Sequence, residues 1–279
     1  MTIRLRIVAL TALAMLAFAA NSLFCRLALR DTGIDPAGFT GLRLLSGAAM
    51  LWLLLRLRGG AQGGSWRSAL ALFFYAAAFS YAYVSLPAGT GALLLFGAVQ
   101  ATMILMGWFR GERLVTQQAL GLLLAFAGLV VLVLPGVTAP PWRGSVLMLS
   151  AGVAWGAYSL RGRGVGDPLA ATTGNFLRSL PFALALALLF LPRLQFDKLG
   201  ALYAVASGAL ASGLGYAVWY TALRGLNAAS AATVQLSVPA IAAIGGVLLL
   251  DETLTPRLLL ASVAILGGIA LVLRKQAAS

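Results

Sequence analysis

Phe18-Ala19-Ala20-Asn21-Ser22 and Trp155-Gly156-Ala157-Tyr158-Ser159 are two versions of one pattern, an aromatic, small residues, a polar group and a serine. The match extends outward from both. Asp35-Pro36, then Leu42-Arg43, parallels Asp167-Pro168, then Leu177-Arg178, with a longer second spacing. Gly111-Glu112-Arg113-Leu114 parallels Asp251-Glu252-Thr253-Leu254, and each precedes a matching glycine, Gly128 and Gly268. Similarity at a half-chain period marks an internal repeat, residues 1–136 forming the first copy and 137–279 the second.

Composition decides the solvent. Of 279 residues, 61% are hydrophobic and 10% charged, too little polar surface for a water-soluble chain of this length. Lipid must meet most of the exterior. Ten segments are long enough to span, roughly 7–29, 37–55, 68–86, 88–109, 115–134, 144–160, 170–191, 199–223, 227–250 and 255–273. Their short connections make consecutive helices antiparallel neighbours. The expected fold is an all-α membrane protein with ten transmembrane helices as two inverted five-helix repeats. Inversion follows from parity, because an odd number of crossings starts the second copy on the opposite side. Inverted repeats of this kind build secondary transporters, with the binding site between the halves near the midplane.

The net charge is +13, but the cations sit in short connections rather than in one patch. They read as topology signals and not as a face for nucleic acid. With the N-terminus inside, the cytoplasmic ends carry Arg4, Arg6, Arg56, Arg58, Arg67, Arg110, Arg113, Arg161, Arg163, Arg224, Arg274 and Lys275. The outer connections carry only Arg30, Arg143, Arg193, Lys198 and Arg257. Both termini are expected in the cytoplasm and the chain in a bacterial-type inner (plasma) membrane. A cleaved leader ending near Ala17-Phe18-Ala19 is the rival reading. The apolar run continues through Leu23, Phe24 and Leu27-Ala28-Leu29, which favours a retained spanning helix. The chain has no histidine and one cysteine, Cys25. That removes an HExxH site, a Ser-His dyad and a cysteine metal cluster. No metal, cofactor or enzymatic reaction is expected.

The Trp/Phe-Gly/Ala-x-x-Ser element on the first helix of each half, with the Glu-x-Leu element between its fourth and fifth helices, resembles EamA-type units. Tandem units of that type make up transporters of the drug/metabolite superfamily, and the resemblance covers nearly the whole chain. Within the superfamily the chain is most similar to the YddG-type exporters of aromatic amino acids. The resemblance implies export of small amphiphilic metabolites, aromatic or other neutral amino acids, by alternating access around a midplane cavity. A broad exporter of planar drugs or cations is the alternative within transport, and a non-transporting scaffold or receptor the alternative outside it. The implied partners are a small-molecule substrate and the lipid bilayer, with no nucleic acid and no obligate protein partner.

All seven acids lie at or beyond helix ends. Small multidrug transporters, which resemble one half of such a fold, carry a glutamate on their first helix where this chain has Ala14, Met15, Leu16 and Phe18. A facilitator is therefore expected, since a proton-coupled carrier needs a titrating group inside the bundle. Glu112 and Glu252 are expected to cap the following helix or to pair with a nearby arginine. Arg26 is expected to snorkel to headgroups. Arg43 and Arg178 lie about two turns inside helices two and seven, roughly 10 Å deep. Two readings stay open for them, as relays for a substrate carboxylate or as pins bonded to carbonyls of the facing half.

The candidate substrate-binding residues are polar or aromatic groups at membrane depth. Gln100 and Gln235 need partners there, from another helix or from a ligand. Pro239 cannot donate to the Gln235 carbonyl and leaves that acceptor free. Asn21 belongs to the same class. Tyr75 and Phe79, four apart, share one helix face, as do Tyr216 and Tyr220, and Trp155 and Tyr158 join them on helix six. Packing explains any one of these rings singly. Together they read as a pocket that stacks planar ligands, lined by helices one, three, four, six, eight and nine.

Overall fold

The structure is a computed structural model that describes residues 3–109, 116–136, 139–162, 165–226 and 228–274. The Gly111–Leu114 match, with the Glu112 cap, lies outside the described residues, as do Arg110, Arg163, Lys275 and Ser279. Among the described residues there are helices and no strand. α1 spans Ile3–Asp31, α2 Pro36–Leu57, α3 Trp66–Tyr83 and α4 Ala88–Phe109. α5 spans Thr116–Val133, α6 Trp142–Gly162 and α7 Pro168–Leu189. α8 runs Lys198–Leu223. α9 (Ala228–Gln235) stops at Leu236 and the rod resumes as α10 (Ser237–Leu250), before α11 (Pro256–Arg274). The break falls where Pro239 removes a donor, as the sequence requires. α1 passes through Ala17-Phe18-Ala19 without interruption.

The two Asp-Pro pairs start equivalent helices. Asp35 Oδ1 accepts from the Ala37 and Gly38 amides at 2.9 Å, and Asp167 Oδ1 from the Leu169 and Ala170 amides at 3.1 Å. In both, proline occupies the first turn, where its missing N–H costs nothing. Each such cap contributes about 0.5–2 kcal/mol.

Among the described residues, seven helices are long and apolar enough to cross a membrane: α1, α2, α4, α5, α7, α8 and the Thr233–Leu250 stretch. This corrects the expectation that all ten segments would qualify on those grounds. The described part of α11 includes a shorter apolar stretch, Pro256–Val272. α3 and α6 carry serines, tyrosines and terminal arginines in place of aliphatic residues. They pack against each other and face an internal cavity, so their inner faces have no lipid to match. Trp66, Trp108 and Trp142 are exposed at helix ends, where an interfacial belt would lie.

Packing follows the repeat. With α9 and α10 counted as one rod, α2 packs on α7 and α5 on α11; α3 on α6 recurs as α8 on α1, and α4 on α6 as α10 on α1. The pattern maps onto itself when the halves are exchanged. At the α5–α11 seam, a Cβ on Gly121 would come within 2.5 Å of the Gly268 carbonyl, and one on Gly128 within 2.8 Å of Ile265. Small residues let these backbones touch.

Candidate substrate cavity

The cavity is built around a change of helical pitch. α8 takes π geometry over Ala206–Leu214, a form that turns side chains to new directions and is common at functional sites. A Cβ on Gly208 would overlap the Arg43 carbonyl and Ser46 Oγ, so glycine there lets α8 lie directly on α2. Ser207 Oγ then reaches across to donate to Asn21 Oδ1 at 2.6 Å. Asn21 Nδ2 in turn donates to the Tyr75 hydroxyl at 3.3 Å.

Between the halves lies a cavity of about 760 Å³, in the range typical of small-molecule sites. Its aromatic wall is continuous. Trp155 sits 4.7 Å from the Tyr75 ring, 5.2 Å from Tyr158 and 5.4 Å from Tyr216, stacked on the last two at 27° and 20°. Phe79 flanks Tyr75 at 5.4 Å, and Tyr220 lies further along α8 on the same wall. Gln100 and Gln235 face the same space. Among the described residues neither amide side chain has a hydrogen-bond partner. All the candidate residues from Asn21 to Gln235 thus border one cavity.

Several groups on its walls are not among those candidates. α7 contributes Thr172, which shares a hydrogen bond with the Tyr220 hydroxyl at 2.9 Å, and Asn175, which donates to the Tyr158 hydroxyl at 3.3 Å. Their spacing of three, in a Thr-Thr-Gly-Asn run within an apolar helix, was the available signal. Arg161 and Ser212 also line the space, and among the described residues no Asp or Glu does.

The cavity opens at the end marked by Gly64, Ser65, Arg161, Gly162 and Val165, beside the arginine-rich connections. Toward the other end, one helical turn beyond Ser22 and Phe79 of the lining, the helices are tied together. Arg26 Nε pairs with Glu252 Oε1 at 3.2 Å, while its Nη1 donates to the Tyr83 and Val84 carbonyls at 3.0 Å. Glu252 Oε2 accepts from the Ala88 amide at 2.8 Å. One expectation is corrected here, and of the two roles expected for Glu252 the ion pair is the one found. Arg26 does not snorkel, because a carboxylate and two carbonyls satisfy it inside the protein. Glu252 does pair with an arginine, but the helix it caps is α4 rather than the one that follows it.

The two deep arginines part company. Arg178 Nη1 donates to the Gly63 and Gly174 carbonyls at 2.6 and 3.0 Å, a pin that holds the α2–α3 connection on α7. Arg43 is buried and donates through Nη2 to the Tyr75 hydroxyl at 2.9 Å.

The EamA-like transporter family model matches this chain twice, over residues 5–134 and 142–274. An uncharacterized protein of Pseudomonas aeruginosa is 63% identical over 272 residues, covering 96% of this chain and 94% of its own. An uncharacterized transporter of Archaeoglobus fulgidus is 28% identical over 260 residues, 87% of this chain and 89% of its own. A crystal structure at 21% identity superposes with a TM-score of 0.65 over 94% of this chain and 98% of that one, which speaks to the fold. Two family matches that between them span nearly the whole sequence leave one conclusion: the chain is a multi-pass membrane protein that belongs to the EamA-like transporter family.

Proposed function

We propose that the protein exports small amphiphilic metabolites, aromatic or other neutral amino acids foremost, by alternating access between two inverted five-helix units, 1–136 and 137–279. The observation that carries this reading is the cavity, with a stacked aromatic wall and two amides that have no partner among the described residues. A zwitterionic solute needs donors and acceptors together, and amides supply both. Export of planar cations is the weaker reading, because among the described residues no carboxylate lines the cavity to neutralise one. The exchange symmetry of the packing supports the inverted repeat. The cavity open at one end and tied at the other fits one state of an alternating cycle. Uptake of a panel of labelled amino acids into proteoliposomes tests the reading; if none is carried above empty liposomes, it fails.

Transport is expected to run without a proton gradient. No histidine exists in the chain and, among the described residues, no acid borders the cavity, so no described cavity side chain is suited to take and release a proton near neutral pH. Substrate should equilibrate down its own gradient at equal pH on both sides. Accumulation against that gradient, driven by an imposed pH difference, would count decisively against a facilitator.

The arginine-rich end is proposed to face the cytoplasm, with both termini, in a bacterial inner membrane. With Cys25 replaced, a cysteine placed in the Arg193–Lys198 connection should react with a membrane-impermeant maleimide on intact cells. One at Ser279 should stay silent until the cells are opened, and the reverse pattern would invert the topology.

A further inference from the structure

The wall formed by α1, α2, α3 and α8 conceals a cation without a counter-ion among the described residues. Arg43 is 2% exposed. Its guanidinium lies 4.7 Å from the Phe79 ring centre and 5.1 Å from that of Tyr75, and its Nη1 is buried with no hydrogen-bond partner. The ion pairs among the described residues are Arg26–Glu252, Arg30–Asp31 and Arg58–Asp167, so no carboxylate answers this charge. Ring faces offset part of the cost of desolvating a guanidinium, and an anion is what would offset the rest.

Tyr75 connects this charge to the cavity. Its hydroxyl oxygen accepts from Arg43 Nη2 at 2.9 Å and from Asn21 Nδ2 at 3.3 Å, and Ser207 holds the Asn21 amide in that orientation. With two donors on its oxygen, the hydroxyl keeps its own proton to give. Among the described residues no acceptor takes it. Ser212, on the same cavity, has a buried and unpartnered Oγ as a second donor. Arg161 at the mouth adds positive charge, and a low-dielectric cleft of one sign concentrates the opposite one.

We propose that this wall is a carboxylate subsite, in which Tyr75 donates to the substrate carboxylate and Arg43 is the positioning residue that polarises it from behind. The inference rests on the cavity being the substrate site and narrows its substrates to solutes that carry a carboxylate, as zwitterions or anions. It also divides the labour within the cavity. The carboxylate goes to Tyr75, which leaves the Gln100 and Gln235 amides and the Gln235 carbonyl for the ammonium.

Calorimetric titration of the purified full chain tests the proposal with two matched pairs of ligands, 3-phenylpropionate against phenethylamine and butanoate against butylamine. Wild type should prefer each carboxylate over its amine by about tenfold or more, the strength of a hydrogen bond to a charged group. Tyr75→Phe keeps the ring and should erase that preference. Arg43→Met should erase it as well, and Arg43→Lys should restore part of it. A purely structural role would weaken all four ligands alike and leave the ratio unmoved. Equal binding of carboxylate and amine by wild type, no binding of either carboxylate, or a preference that survives Tyr75→Phe overturns the proposal. Butanoate binding as tightly as 3-phenylpropionate would remove only the aromatic specificity proposed above. Carboxylate binding without transport would remove only the transport reading.

Discussion

Trp155→Ala should reduce transport of phenylalanine or tryptophan by about tenfold or more at equal expression, and that of alanine or threonine, where carried, much less. The indole is the hub of the aromatic wall, in ring contact with Tyr75, Tyr158 and Tyr216. A substrate ring laid against it gains area burial plus roughly 0.5–1.5 kcal/mol of ring–ring interaction, and about 1.4 kcal/mol is a factor of ten. Truncation removes that platform and also frees three neighbouring rings to shift. Small side chains never reach the indole, so the loss should grow with the ring of the substrate. Gln235→Leu should behave differently, impairing every amino-acid substrate alike, because the amide serves backbone groups that all of them share. Initial rates in proteoliposomes for a ring-bearing and a ringless substrate separate the two patterns. Normal aromatic transport in both variants would remove the site assignment and leave the fold untouched.

The all-helical, multi-pass character of the chain was legible because membrane helices advertise themselves locally. Apolar runs, arginines at their ends and the paired Asp35-Pro36 and Asp167-Pro168 are all short-range signals, and in the structure the two aspartates prove to cap equivalent helices. The aromatic wall was legible for a related reason. Aromatic rings four apart share one helix face, and Tyr75, Phe79, Tyr216 and Tyr220 all border the cavity. Partners of charged groups were not legible, since these depend on which ends meet in space. Arg26 and Glu252 are 226 residues apart, and no periodicity announces that they touch. The π segment of α8 was hidden likewise. Its glycines read equally well as packing positions, and only the approach of α2 at Gly208 distinguishes the two. Arg43 sits between these cases, its depth evident from the sequence and its link to Tyr75 visible only in three dimensions.

The Arg26–Glu252 pair is expected to hold the far end of the cavity closed, and Glu252→Ala to release it. Both side chains are mostly buried, 12% and 10% exposed, so solvent screens them little. The carboxylate serves two masters there. It neutralises Arg26 on α1, and it accepts from the Ala88 amide at the N-terminus of α4, where unpaired N–H groups and the helix dipole favour an anion. Removing one partner of a buried pair leaves the other charge uncompensated, at a cost of about 3–5 kcal/mol. Arg26 keeps two carbonyls, so a loss nearer about 3 kcal/mol is expected, seen as a lower melting temperature. Glu252→Gln, which keeps the shape and one acceptor, should lose less. The double variant Arg26→Met/Glu252→Met should be more stable than the sum of its parts, because it strands no charge. The native chain carries its own reporter of opening. Cys25, next to Arg26 and the lone cysteine of the sequence, is fully buried. In Glu252→Ala it should become reactive to a maleimide added from outside, while wild type stays protected. Wild-type melting together with a silent Cys25 in Glu252→Ala would show that the closure is made by other contacts.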